Sequence, residues 1–412
     1  MEGLFKSPKG RATCLYIGER HVGTDSQSIH HMLTTSPWNY EKLFTRIFKR
    51  SESLLRKQKK KVYLLIDEVG FRKKGKGSAC VGWQYLGCIG KQDNGQVAVA
   101  AALSSGSFYT PVAMELFMPK DWEKDHERRK KAHIPQEVKH KTKPEIALDM
   151  ILKLYKKIKQ LEYVVFDALY GNSTELLDEL IRKKIPFIGD VRENITIYLT
   201  QPQMILPENK GRGRKNKLLR PNKSGISIKD YQKTLKNKDY QKLELRETTK
   251  GTLNAHFHKR KVWILCQQTG EFLPLNLLIR KNDDESIQYA LGYHPIKATI
   301  KGMAKAQAQR VFIERVFEEG KNIVGMADYQ VRSWQGFHRH MALCSLALLF
   351  LMEQKLLLNK TIVGKVTAYQ IQELINATIQ TINTIDEIIA KLCDEIPIYQ
   401  SLSMKKNRNS VT

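Results

Sequence analysis

The chain has 412 residues, 42% of them hydrophobic, and sets 69 Lys and Arg against 42 Asp and Glu, a net charge of +27. That length allows two or three domains at about 150 residues each. So large a positive excess repels itself unless a polyanion neutralises it, which points to nucleic acid first and an anionic membrane surface second. The membrane is disfavoured, because there is no basic amphipathic helix with a Trp/Phe face, and the most apolar stretch, Met341–Met352, is twelve residues long, short of the ~20 of a membrane span. The six cysteines (Cys14, Cys80, Cys88, Cys266, Cys344 and Cys393) make no Cys-x2-Cys pair, so neither a zinc site nor a disulfide framework is signalled. The opening MEGLFKSPKGR lacks the apolar core of a signal peptide. A reduced, cytosolic, soluble protein is expected.

Residues 1–60 read as small helices. Asp25 or Ser26 caps one through His30, His31 and Leu33. Ser36-Pro37 opens a second, which carries Leu43, Ile47 and Leu54 and ends in a basic run over 56–61. Two short helices with a turn suit either a helix-turn-helix that docks on DNA or a helical cap on the main domain.

The chain is organised around the stretch Lys61–Gly77, KVYLLIDEVGFRKKGKG. Val62–Ile66 is a buried strand by its apolar, β-branched composition, and it ends in Asp67. Gly70 follows, then Arg72, Lys73, Lys74 and Lys76 in a glycine-rich loop. A carboxylate at the end of a buried strand lies at a sheet edge, where sites in α/β proteins collect. Among so many cations it suits either a centre that handles metal and phosphate together or a plain pairing with its lysine neighbours.

Strands are expected over Cys80–Ile89, Gln96–Leu103 and Tyr109–Phe117, joined by turns into an antiparallel meander. Residues 119–141 form a charged loop. Thr142 and Glu145 make a capping box for a helix with Ile146, Leu148, Ile151, Leu152, Tyr155 and Ile158 on its apolar face. Tyr163–Phe166 is a strand ending in Asp167, with Tyr170-Gly171 beyond it. Asn172 and Glu175 cap a helix through Lys183, and Phe187–Val191 is a further strand, in which Asp190 reads as structural. If the strands ending in Asp67 and Asp167 lie parallel and adjacent, both acids face one crevice, the arrangement of a ribonuclease-H-like fold.

Residues 193–304 interrupt that pattern with a mainly β insertion. It opens on a basic segment, 210–223, which is either a flexible loop or an arm that tracks phosphates. Strands follow over Leu243–Thr248, Leu253–His258, Lys261–Gln267 and Pro274–Arg280. Helix resumes near Ala304. Arg310, Glu314, Phe317, Glu318 and Lys321 share one helical face, which on its own is also compatible with a solvated salt-bridge ladder. Helices are expected over Trp334–Leu358, Val366–Ile379 and Ile382–Leu392, before a basic tail at 404–412.

On these residues the chain resembles the DDE transposases of bacterial insertion sequences, in particular the subgroup whose last acid lies in a Tyr-x2-Arg-x3-Glu-x6-Lys signature. Arg310, Glu314 and Lys321 match that spacing, and Gln307 stands at the tyrosine position. The resembling stretches run from about residue 65 to 345 and include Lys73-Lys74-Gly75, Gln84-Tyr85, Lys141–Glu145, Tyr170-Gly171 and Arg332-Ser333-Trp334. The resemblance implies a ribonuclease-H-like core over 61–192, completed by 305–358, with the β insertion at 193–304. Helical parts flank it at 1–60, where DNA ends would be recognised, and at 359–412. It implies that Asp67, Asp167 and Glu314 hold two Mg²⁺ ions, with Mn²⁺ able to substitute, for cleavage at element ends and 3′-OH strand transfer into target DNA. Arg310 and Lys321, with Lys73, Lys74 and Lys76, would hold DNA phosphates. Glu318, one turn beyond Glu314, competes for the place of third acid. The implied partners are double-stranded DNA, both terminal repeats and target, and a second copy of the chain on that DNA, with no membrane and with the bacterial nucleoid as the place of action. A ribonuclease-H-like nuclease without strand transfer, or a non-catalytic DNA-binding remnant of a transposase, shares most of these features.

Overall fold

A computed structural model of the chain describes residues 2–20, 25–106, 108–207, 217–248, 251–361 and 366–378. Its centre is a ten-stranded mixed sheet. The first six strands are β1 (Val62–Arg72), β2 (Gly82–Leu86), β3 (Lys91–Ser104), β4 (Tyr109–Leu116), β5 (Leu161–Phe166) and β6 (Phe187–Asp190). β3 lies antiparallel to β1, with β2 and β4 both paired to it, while β5 lies parallel to β1 and β6 parallel to β5. The order β4-β3-β1-β5-β6, with its last three strands parallel, is that of a ribonuclease-H-like sheet. Strands covered on both faces need continuous apolar runs, and Val62–Ile66 and Val97–Leu103 are buried throughout.

Helices close both faces. α3 (Lys143–Leu154) starts with the expected capping box, Thr142 with Glu145, and packs on β3. Lys143 pairs with Glu68, which fixes α3 on the side of β1 opposite Asp67. On the Asp67 side lie α6 (Val311–Ile323) and the long α7 (Trp334–Thr361), which packs against β4 and α6. α7 is apolar enough over Trp334–Asn359 to cross a membrane by length and composition, but half of that stretch is buried inside the protein as a core helix.

Before the sheet come α1 (Ser26–Thr34), capped by Asp25, and α2 (Tyr40–Lys57), capped by Asn39 rather than opened by Ser36-Pro37. Both lie against α7. The Arg339 guanidinium of α7 donates to the carbonyls of Leu33, Ser36 and Trp38, so the turn between the two helices is stitched to the core. Of the two expectations for this region, the packing is that of a cap.

Three further expectations change. Residues 119–141 are not an open loop: Lys120–Lys124 and His126–Lys131 are short helices, and the buried Trp122 donates to the Val81 carbonyl at 2.8 Å. The helix α4 (Thr174–Arg182) is capped by Ser173, while the Asn172 side chain accepts from the Arg192 amide instead. The insertion is joined to the core sheet. Its strands β7 (Gln241–Thr248), β8 (Gly251–Leu265), β9 (Phe272–Lys281) and β10 (Ile287–Tyr293) continue that sheet, because β10 pairs antiparallel with β6. β8 is one long strand where two were expected. Residues 210–216 of the basic segment, the helix expected over Ile382–Leu392 and the tail at 404–412 lie outside the described residues.

Candidate active site at the carboxylate edge

β1 does not stop at Asp67 but runs on to Arg72. What stops there is its pairing with β5, whose last matched residues are Ile66 and Phe166. Asp67 and Asp167 are the next residues on their strands, so the register brings them side by side. The β5–β6 register ends at Phe166 opposite Gly189, which sets Asp190 next in the row. Three acids therefore follow three parallel strands along one edge.

Each acid is oriented locally. Asp67 is 9% exposed, and its Oδ1 accepts from the Glu68 amide at 2.7 Å. Asp167 caps the short helix Ala168–Gly171 and accepts from the Leu169 amide at 2.9 Å. That helix crosses β6 so closely that a Cβ on Gly171 would lie 2.0 Å from the Asp190 carbonyl oxygen, so only glycine fits there.

Glu314 comes from the other side. α5 (Ile300–Gln307) ends in a tight turn, and Arg310 and Glu314 follow at the start of α6. The Arg310 guanidinium reaches three carboxylates: Glu314 at 2.8 Å, Asp190 at 3.2 Å and Asp67 at 3.9 Å. Gln307 donates to the other oxygen of Asp190 at 2.8 Å. Burial, then the charge of Asp167, pushes the Asp67 carboxyl up to about 7. Burial also raises Asp190, with Gln307 and Arg310 acting against it. Burial opposes the charge on Arg310, yet Asp190, Glu314, Asp67 and Asp167, in that order, hold it above its ordinary value.

The expected phosphate-binding cations divide. Arg310 faces the acids. Lys321 donates to the Gly70 carbonyl at 3.1 Å, near the Phe71 ring, and burial lowers its pKa. Lys73 donates to the Tyr329 carbonyl at 3.1 Å and sits 3.4 Å from the centre of the Tyr329 ring, with burial lowering it to about 8. Lys74 and Lys76 remain exposed. Glu318 is exposed, while its neighbour Glu319 is buried and accepts from the Tyr109 hydroxyl at 2.6 Å. His338 and His340 are buried against the carbonyls of Trp334 and Gly325, and burial lowers each to about 4. Asp190 is the functional candidate that sequence reasoning passed over. Its only signal was an acid closing a third short strand.

The donor set suits a hard divalent cation in chemistry, since every candidate ligand is a carboxylate oxygen. The Tyr170 hydroxyl, buried with no hydrogen-bond partner and within electrostatic reach of Glu68, Asp67 and Asp167, is a further polar group left over there. Among the described residues, however, no three His, Cys, Asp or Glu side chains stand close enough to hold a metal ion. Arg310 supplies the counter-charge instead, and Glu314 would join a metal only by leaving it.

A ribonuclease-H-like sheet with acids at the carboxyl edge of its parallel strands is a framework for phosphodiester chemistry. The DDE superfamily endonuclease family matches residues 5–252, more than half of the chain, and the chain belongs to that family. Asp67 and Asp167 fall inside the matched residues and Glu314 beyond them. A probable transposase for insertion sequence element IS701 from Microchaete diplosiphon is 36% identical over 190 residues, which are 45% of this chain and 46% of that protein, so the match spans just under half the relative's length. Two solved structures are distantly similar to this chain. A piggyBac transposase synaptic complex with hairpin DNA has a TM-score of 0.37 at 10% identity, over 76% of this chain and 51% of that one. The NurA nuclease from Sulfolobus solfataricus has a TM-score of 0.27 at 9% identity, over 74% and 86%.

Proposed function

We propose that this chain is a transposase that cuts DNA at the ends of an insertion sequence and joins the freed 3′-OH to target DNA. The observation that carries the reading is the register placing Asp67 and Asp167 side by side, with Glu314 tied to Asp67 through Arg310. In this reading Asp67, Asp167 and Glu314 hold two Mg²⁺ ions, for which Mn²⁺ can substitute. Bound Mg²⁺ would supply Lewis-acid activation of an attacking oxygen and charge stabilisation of a leaving one.

The protein's own residues would orient the DNA phosphate at the carboxylate edge and leave room for an attacking water. Water attacks the phosphorus at the element boundary, the bond to the 3′ oxygen breaks, and that oxygen leaves as a hydroxyl. The 3′-OH then attacks a target phosphate and the target's own 3′ oxygen departs. Arg310, released from the acids as cations take its place, would turn to a phosphate, and Lys74 and Lys76 contact the backbone from outside. The partners are double-stranded terminal repeats and target DNA. Two ends must meet, so a dimer on DNA is expected, acting in the bacterial cytoplasm on the nucleoid.

The test is to incubate the protein with Mg²⁺ and a labelled duplex carrying its element's terminal repeat, beside Asp67→Ala, Asp167→Ala, Glu314→Ala and Glu318→Ala. Cleavage at the boundary that survives only in Glu318→Ala, with joined products, is the expected result. Cleavage without joining would reduce the protein to a nuclease. Binding without cleavage in either Mg²⁺ or Mn²⁺ would leave a non-catalytic DNA-binding remnant.

A further inference from the structure

Trp83 and Tyr85 are 71% and 52% exposed, though large aromatic side chains gain most from burial. They alternate on β2, so both side chains point to one face of the sheet. The register says which face. Trp83 lies opposite Asn94 and Tyr85 opposite Gln92 on β3, while Asp67 lies opposite Ala100. Directly opposed residues share a face, and Asn94 and Ala100 are an even number of residues apart. Both aromatics therefore share the face of Asp67, Trp83 about 20 Å and Tyr85 about 27 Å along β3 from the residue opposite Asp67, at ~3.4 Å per residue.

The cations come to the same place. The Asn94 side chain donates to the carbonyls of Lys73 and Gly75 at 2.7 and 3.1 Å, which folds the glycine-rich loop back onto the residue opposite Trp83. Lys74 and Lys76 of that loop are exposed. Exposed rings flanked by free lysines, on a chain of net charge +27, are complementary to a polyanion with flat apolar faces.

We infer that Trp83 and Tyr85 are a stacking platform for unpaired DNA bases on the same sheet face as the cleavage site but six to eight residues along β3 from it, with Lys74 and Lys76 holding the adjoining phosphates. The platform takes single-stranded or splayed DNA, because a ring can stack only on a base that has left its own stack. The inference rests on the DNA-processing reading above but is tested without cleavage.

The probe is a duplex of arbitrary sequence with a single-stranded overhang that contains a fluorescent purine analogue. The full chain is titrated onto it in EDTA over a range of salt concentrations, beside the same duplex with blunt ends. Trp83→Ala combined with Tyr85→Ala is expected to weaken overhang binding about ten- to a hundredfold and to abolish the change in purine fluorescence, with the salt slope unchanged. Trp83→Phe with Tyr85→Phe is expected to restore both. Lys74→Ala with Lys76→Ala should lower the salt slope by about two and keep the fluorescence change. Unchanged overhang affinity in the double alanine variant would overturn the inference, as would an equal loss on blunt and overhanging duplex or a phenylalanine pair no better than alanine. A wild type that cuts DNA without using the aromatics would refute only the platform. Aromatic-dependent binding by a protein that never cuts would refute only the transposase reading.

Discussion

At the carboxylate edge, Arg310 reaches Asp67, Asp190 and Glu314, and Gln307 donates to Asp190. Six to eight residues along β3, Trp83 and Tyr85, with Lys74 and Lys76 of the neighbouring loop, stand in solvent. Both places mix charged groups with an exposed or half-buried sheet edge, but they treat charge in opposite ways. Buried carboxylates must be neutralised from within when no cation is bound, because an unpaired buried charge costs several kcal/mol. Exposed lysines carry no such cost and keep their charge for a partner. Lys73 and Lys321 show how finely the line is drawn. They neighbour the exposed loop and the acidic helix in sequence, yet both point inward onto carbonyls and aromatic rings.

The sharpest way to break this contrast is to remove an acid. Asp67→Asn or Asp167→Asn should reduce nicking of a supercoiled plasmid at least about a thousandfold, since several kcal/mol of transition-state stabilisation would go at ~1.4 kcal/mol per tenfold. DNA binding in EDTA should persist.

Asp67→Asn should also strengthen the fold. The folded Asp67 carboxyl is raised to about 7, above its unfolded value, so its contribution to stability is complete below about pH 4 and is lost as pH rises through about 7. Asp67→Asn escapes that loss. It should stabilise the metal-free protein by up to about 4 kcal/mol at pH 8 and by little at pH 4, as read from denaturant midpoints.

Arg310→Gln tests the internal counter-charge. It should cost about 1–3 kcal/mol at neutral pH, less than a fully buried pair because the side chain is a third exposed. Adding Asp190→Asn should recover part of that, and the interaction energy from a double-mutant cycle should be well above zero. Additive effects would mean that the bridge is idle.

The smallest effects separate the lysines. Lys73→Met should cost about 1 kcal/mol through its lost carbonyl and ring contacts, with an unchanged salt slope for DNA binding. Lys74→Ala should stay within about 0.5 kcal/mol in stability and lower the slope by about one.

Asp67 and Asp167 were readable because each directly follows a short apolar run, and position after such a run is a local signal. Thr142 with Glu145 was readable for the same reason, since a capping box is written in four residues. Asp190 was not. β6 has only four residues, and its acid gains meaning from the opposition of Phe166 and Gly189, a contact between distant parts of the chain. The joining of the insertion to the core sheet through β10 and β6 is likewise a long-range pairing that no periodicity announces. The inward turn of Lys73 depends on Tyr329, 256 residues away. A basic glycine-rich loop read alone makes all of its cations look equivalent.

The most direct measurement is calorimetric titration of Mn²⁺ into the wild type, Asp167→Asn and Glu318→Gln, without DNA. Saturable binding is expected in the wild type and in Glu318→Gln, with its loss in Asp167→Asn. Equal binding in all three, or none in the wild type at neutral pH, would contradict the assignment of the carboxylate edge as the metal-dependent centre.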